Sequence, residues 1–196
     1  AKARLGKIYT PRGEIDTPTF MPVGTQGTIK SAFIDDVVLS GAQIILSNTY
    51  HLMIRPGVSR IKRVGGLHEF MNWKKPILTD SGGYQVFSLQ NNRKITKEGV
   101  IFTSHLDGSK HRFTPETVVD IQRIIGSDIM MMLDVCPSGN DSIEKWNDAV
   151  NLTSNWARRA MKYFNDTKGY YNKEQLLVPI IQGGTNKNLR KLFINL

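Results

Sequence analysis

Apolar-rich runs at residues 43–47, 76–79, 128–133 and 176–181 each break off at a polar side chain, Asn48, Asp80, Asp134 and Gln182 in turn. Short runs bounded in this way predict strands buried on both faces, each with a polar group at its carboxyl end. Between them the pattern lengthens to a helical period. A helix is predicted over 31–39, closed by Gly41. Thr114-Pro115-Glu116 supplies an N-cap, a first-turn proline and an early acid for a second helix running to Gly126. Asp141-Ser142-Ile143-Glu144 reads as a capping box for a longer third helix, with apolar positions at Ile143, Trp146, Val150, Thr153, Ala157, Ala160 and Phe164. Arg158, Arg159 and Lys162 then fall on its solvated face. Strands alternating with helices at these intervals predict a parallel α/β architecture, a single domain over 1–196.

Residues 99–114 interrupt the alternation. The stretch VIFTSHLDGSKHRF, Val100 to Phe113, sets Asp107-Gly108 between residues of strand character, the sequence signature of a β-hairpin. His105 and His111 lie on it. A histidine pair without a third ligand is more often surface decoration than a metal site, and no metal is assigned.

Charge and cysteine content narrow the functional classes. Lys and Arg total 26 against 17 Asp and Glu, a formal +9, which suits a polyanionic partner such as nucleic acid without requiring one. Cys136 is the single cysteine, so the chain can form neither an intrachain disulfide nor a multi-cysteine metal site, and a reducing, cytoplasmic setting is expected. No run approaches the ~18 apolar residues of a membrane span. The opening AKARLGKIYT carries no apolar leader, so neither a membrane partner nor export is expected.

In parallel α/β folds the carboxyl ends of strands face the ligand. Asn48, Asp80, Asp134 and Gln182 would then converge on one pocket, although each could instead start a loop or cap a helix. Two carboxylates facing a pocket can accept from the N–H groups of a planar heterocycle or shuttle a proton. Gln182 adds a donor and an acceptor suited to a base edge such as that of guanine. Gly82-Gly83 and Gly183-Gly184 would let backbone approach a ligand closely. Tyr84 either stacks on a flat ring or sits in the core of the following segment. These patterns do not name a reaction.

Five stretches add a resemblance: NTYHL at 48–52, GGLHEFMNWKKPILTDSGGYQVFSL at 65–89, GVIFTSHLDGSKHRFT at 99–114, GSDIMMMLDVC at 126–136 and VPIIQGG at 178–184. In these motifs and their order the chain closely resembles the queuine tRNA-ribosyltransferases, or tRNA-guanine transglycosylases. The resemblance implies an α/β barrel enzyme that exchanges the wobble guanine of tRNA anticodons for a 7-deazaguanine. The path it implies is double displacement, as in a retaining glycosidase, with no nucleotide cofactor. Asp80 matches the general acid/base. Ser81, Gly82, Gly83 and Tyr84 match the base-binding loop, with Tyr84 stacking on the ring. Asp134 and Gln182 match residues that bond the base edge, Gly183 and Gly184 belong to the same wall, and Asn48 supports Asp80. Cys136 matches bacterial members, which take the smaller 7-aminomethyl-7-deazaguanine, where eukaryotic members carry Val. Bacterial members usually read Asp-Glu-Cys here. This chain reads Asp134-Val135-Cys136, which puts finer details of recognition in question but not the class.

Members of this family are about as long again as this chain, and a complete barrel takes about 250 residues. The expectation is therefore the amino-terminal half of a (β/α)8 TIM-type barrel with a β-hairpin insertion at about 99–114. The nucleophilic aspartate and a structural zinc site with three Cys and one His are expected beyond Leu196, and no cofactor is expected within the chain. Exposed strand edges and apolar faces would call for a homodimer or the rest of the enzyme. Two alternatives remain: a noncatalytic base- or tRNA-binding partner, and a relative that modifies another tRNA position.

Overall fold

The computed structural model describes residues 3–88 and 93–195, so Leu89, the end of the second matching stretch, lies outside the described residues. In chain order it contains strands β1 (Gly6–Thr10) and β2 (Gly13–Thr17), helix α1 (Ile34–Leu39), strand β3 (Ile45–Asn48), helices α2 (Thr49–Leu52), α3 (Val58–Arg63) and α4 (Leu67–Met71), and strand β4 (Ile77–Asp80). Helix α5 (Gly83–Ser88) follows, then strands β5 (Lys94–Ile95), β6 (Val100–Thr103) and β7 (Lys110–Phe113), and helix α6 (Pro115–Ile125). Strand β8 (Ile129–Met131), helix α7 (Ile143–Asp166), strand β9 (Leu176–Val178) and helix α8 (Lys187–Asn195) complete it. The chain forms two compact units. One comprises Ala1–Asp80, Ile121–Met130 and Gly169–Leu176; the other comprises Ser81–Asp120, Met131–Lys168 and Leu177–Leu196.

The parallel sheet anticipated from the apolar runs is built in the first unit. Strands β3 and β4 pair in parallel from Ile45 opposite Ile77 to Asn48 opposite Asp80, and β4 pairs in parallel with β8 at Leu78–Ile129 and Thr79–Met130. The Leu176 N–H donates to the Asp128 carbonyl at 2.8 Å, giving the order β3-β4-β8-β9. Beneath the sheet Ile45, Leu52, Ile61, Leu67, Trp73 and Ile77 are fully buried together. The hairpin β1–β2 went unanticipated, although Ile15, its one inward residue, stands between polar neighbours in the alternation a half-buried strand requires.

Several predicted boundaries shift for local reasons. Helix α1 begins at Ile34 rather than at 31, because Ser31 has φ +61°, a left-handed conformation that no helix continues through. Strands β8 and β9 stop at Met131 and Val178, short of 133 and 181. There the Val135 N–H leaves the ladder and donates to Thr153 Oγ1 at 3.0 Å. Asp134 and Gln182 consequently stand in loops beyond their strands, whereas Asn48 and Asp80 are the last residues of theirs.

In the second unit, β5, β6 and β7 form an antiparallel sheet. The turn between β6 and β7 is longer than a two-residue Asp-Gly hairpin. It is closed by Ser104 N to Ser109 O at 2.7 Å, with Gly108 at φ +72° inside it. Its His111 stacks on Phe102 and bonds Ser109 Oγ. Helix α7 starts at Ile143, but its N-cap is Ser142, whose Oγ accepts from the Lys145 N–H at 3.4 Å, rather than the Asp141 to Glu144 box read from the sequence. Two of its predicted positions need correction. Ile143 is exposed, and the deeply buried aromatic is Trp156, whose Nε1 donates to Lys97 O at 2.9 Å. Arg159 is not on a solvated face: it grips Glu116 through two bonds of 2.8 and 2.7 Å and also reaches the Lys97 carbonyl.

Asp128, at the entry to β8, anchors the first unit. It is buried, and it accepts from Arg12 Nη1 (2.8 Å), the Ile77 N–H (2.9 Å) and His68 Nε2 (3.1 Å). Burial alone would raise its pKa, but the bonds from His68, Ile77 and Arg12 outweigh it and hold the carboxyl below the ordinary aspartate value. A depressed carboxyl contributes stability that is present above the unfolded pKa and is lost as pH falls through the folded one. Asp128→Asn should therefore destabilise the chain by about 3 kcal/mol at neutral pH, since it leaves the half-buried Arg12 without its counter-charge. In urea unfolding its acid limb should be flatter than the parent's; an unchanged midpoint at pH 7 would refute the anchor.

Candidate active site

Strand register places Asn48 and Asp80. Because Asn48 lies opposite Asp80 on the neighbouring parallel strand, the two side chains meet, and Asn48 Nδ2 donates to Asp80 Oδ2 at 2.6 Å. The amide has no freedom to flip. Asn48 is the N-cap of α2, and its Oδ1 accepts from the His51 N–H at 2.9 Å, which leaves only its NH2 for the carboxylate. The Thr49 N–H approaches the other oxygen, Oδ1, at 3.3 Å, and Thr49 Oγ1 bonds the Asp80 carbonyl. Asp80 itself is half-buried. Sequence reasoning found Asn48 but missed Thr49, a cap-adjacent residue whose backbone is the functional group and which therefore leaves no side-chain signal.

The remaining predicted polar residues form a cluster of their own in the second unit, which begins at Ser81. Asp134 is 7% exposed. Gln182 Nε2 donates to its Oδ2 at 2.6 Å, and Ser81 Oγ approaches its Oδ1 at 3.4 Å. Both partners are neutral. Desolvation therefore prevails over these bonds and pushes the Asp134 carboxyl above the ordinary aspartate range. Gln182, itself buried, is oriented by the same bond.

The glycines fall into two groups. Gly82 takes φ +75°, and Gly83 opens α5 so close to Asp134 that an added Cβ would lie 3.0 Å from its carbonyl oxygen and 3.3 Å from its Oδ1. Gly183 and Gly184 answer to packing instead. A Cβ on Gly183, at φ +118°, would meet the Arg190 nitrogen at 2.8 Å, and one on Gly184 would meet the Trp146 ring at 3.0 Å. Their neighbours are helices α8 and α7, which accounts for both glycines without a ligand.

Tyr84 is not a core residue. It is 65% exposed and lines a cleft of about 720 Å³ together with Phe87, Arg93, Val135 and Cys136. The Cys136 thiol is raised by partial burial and then by the neighbouring Asp134 charge, so at neutral pH it is a protonated wall rather than a nucleophile. Among the described residues no three His, Cys, Asp or Glu side chains are grouped to hold a metal ion, and no helix is long and apolar enough to cross a membrane.

In the second unit Asp134 can accept from a planar donor edge and Gln182 can present an amide; in the first, Asp80 is a carboxyl able to exchange a proton. Comparison with known proteins supplies the lineage. Residues 1–195 match the family described as queuine tRNA-ribosyltransferase. A queuine tRNA-ribosyltransferase of Novosphingobium aromaticivorans is 53% identical over 97% of this chain and 50% of its own length. Relatives of the same name from Dictyoglomus turgidum and Halothermothrix orenii are 51% and 53% identical, again over 97% of the chain and 48% and 49% of theirs. The chain thus spans about half the length of the curated relatives it matches, and it belongs to the queuine tRNA-ribosyltransferase family.

Proposed function

We propose that this chain is the amino-terminal, base-recognising half of a tRNA-guanine transglycosylase, which exchanges the wobble guanine of tRNA for 7-aminomethyl-7-deazaguanine. The observation that carries the reading is Asp134: a buried carboxyl supplied only with neutral donors, its pKa raised by desolvation. Each oxygen keeps acceptor capacity. A guanine edge, which offers N1–H and N2–H side by side, would complete the carboxylate bidentately, while the Gln182 amide bonds the same ring. Ser81 and Gly83 hold that carboxyl in place, Tyr84 covers the ring face, and Cys136 limits what the ring can carry.

Asp80 serves as the proton carrier. A carboxylate nucleophile attacks C1′ of the ribose, the C1′–N9 bond breaks, and Asp80 gives its proton to the departing guanine. The incoming base then returns a proton to Asp80 as it attacks C1′ and displaces the nucleophile. Asn48 and Thr49 fix Asp80 and bond its charged form. The nucleophile would come from the part of the relatives' length that this chain does not span. The four-stranded parallel sheet with its helices is consistent with half of a (β/α)8 barrel, one domain over 1–196 with 99–114 as an insertion. The same reading includes a homodimer of bacterial type acting in the cytoplasm. A structural zinc enters no step, and its ligands would lie outside the described residues.

Two measurements test this. In protein of the relatives' full length, Asp80→Asn should lower incorporation of labelled guanine into tRNA by about 10²–10⁴-fold; full rate in that variant would defeat the proposal. Binding of the free 7-deazaguanine base should strengthen as pH rises through the Asp134 pKa, because only the ionised form accepts from both N–H groups at once, and then level off. Asp134→Asn should weaken binding by about 10- to 100-fold, the value of a hydrogen bond to a charged group, and flatten the pH profile. A profile that persists in the variant would remove Asp134 from base recognition.

A further inference from the structure

The antiparallel sheet β5–β6–β7 buries one face and leaves the other open, and the open face carries one sign of charge. Val100, Phe102 and Phe113 point inward and are fully buried. The alternate positions point outward, and register aligns them: Lys94 opposite Ile101, Ile101 opposite Arg112, and Thr103 opposite Lys110. Lys94, Lys110 and Arg112 are exposed, and Ile101 is 42% exposed between them. Lys110 and Arg112 stand on the same face of β7, and Lys94 on β5 lies across Ile101 from Arg112, so the open face gathers like charges. Among the described residues none of the three cations forms an ion pair, whereas Arg159 of the same unit is fully engaged by Glu116. The nearest acid in influence is Glu98, whose carboxyl is lowered chiefly by Thr96 and its own backbone and only then by the charge of Arg112.

From this geometry we infer that the outward face of β5–β7 docks the phosphodiester backbone of the RNA substrate, with Lys94, Lys110 and Arg112 each meeting a phosphate. The inference rests on the proposed tRNA substrate and extends it to a surface separate from the base-recognising residues. A rigid sheet suits the purpose. Its cations are spaced by strand pairing rather than by loop conformation, and Ile101 offers a nucleoside an apolar seat between them. The +9 charge of the chain adds long-range attraction to this local complementarity.

The test is Lys94→Gln/Lys110→Gln/Arg112→Gln in the full chain, with Lys162→Gln/Lys187→Gln/Lys191→Gln as a control of equal charge change on exposed positions of the same unit. Equilibrium binding of unmodified tRNA is measured between about 50 and 200 mM salt, where each phosphate contact contributes about 0.7–0.9 to the slope of log K against log salt. The sheet variant should lose about 2 from that slope and bind at least tenfold more weakly at the lower salt. The control should lose less than 1. Unfolding midpoints verify that both variants fold. In protein active for exchange, KM for tRNA should rise while kcat and free-base binding stay at parental values. Equal slopes for parent and sheet variant, or an equal loss in the control, would overturn the inference. So would a change confined to self-association in light scattering, or a parent chain that binds no tRNA. Absence of exchange in protein of the relatives' full length, alongside the predicted loss of slope, would overturn the transglycosylase reading and leave the RNA surface standing.

Discussion

The parallel register of β3 against β4 is the constraint on which the position of Asp80 depends. Asn48 can hold Asp80 only because the two are partners at the ends of adjacent strands. A slip of one residue would turn both side chains to the opposite face. The register is set upstream by Ile45 and Ile77, whose side chains are fully buried in the core, so the energetics of apolar burial fix the position of the Asp80 carboxyl several residues away. The Asn48 cap on α2 adds a second restraint from the other side of the same amide.

Two buried aspartates show how one side-chain type acquires opposite characters. Asp128 is surrounded by a guanidinium, an imidazole and a backbone N–H, which together overcome desolvation and keep it ionised. Asp134 receives an amide and a hydroxyl, and desolvation prevails. The first is electrostatically complete and behaves as a structural anchor. The second is left short of donors, as a binding group must be if its ligand is to supply them. Neither character follows from the residue, its burial or its place near a strand; each follows from the partners that folding delivers.

Part of the fold was legible because it rests on local chemistry. The Thr114-Pro115-Glu116 helix start, Gly41 after α1 and the runs of β3, β4 and β8 act within a few residues of themselves, and each appears where its pattern placed it, give or take the strand ends; the fourth run forms a strand too, but β9 is the sheet edge and Leu176 is 43% exposed, so its expected burial is corrected. What escaped notice depended on distant partners. Trp156 is buried because the Lys97 carbonyl meets its indole, and Arg159 is engaged because Glu116 stands opposite, neither of which helical periodicity can register. The short helices α2 to α5 were likewise invisible, since segments of four to six residues carry too few turns for a period to show.

The sequence by itself determined the alternation of strands and helices, the polar group that follows each apolar run, the basic excess and, through its motifs, the family. These are properties of composition and spacing, which exist before the chain folds. Tertiary structure alone decided which neighbours those groups acquire: that Asn48 turns its NH2 to Asp80, that Asp134 is desolvated beside Gln182, that Gly183 and Gly184 answer to helix packing, and that three cations align on one face of β5–β7. Hydrogen-bond direction, desolvation and cross-strand register are relations between residues far apart in the chain, and only folding brings them into being.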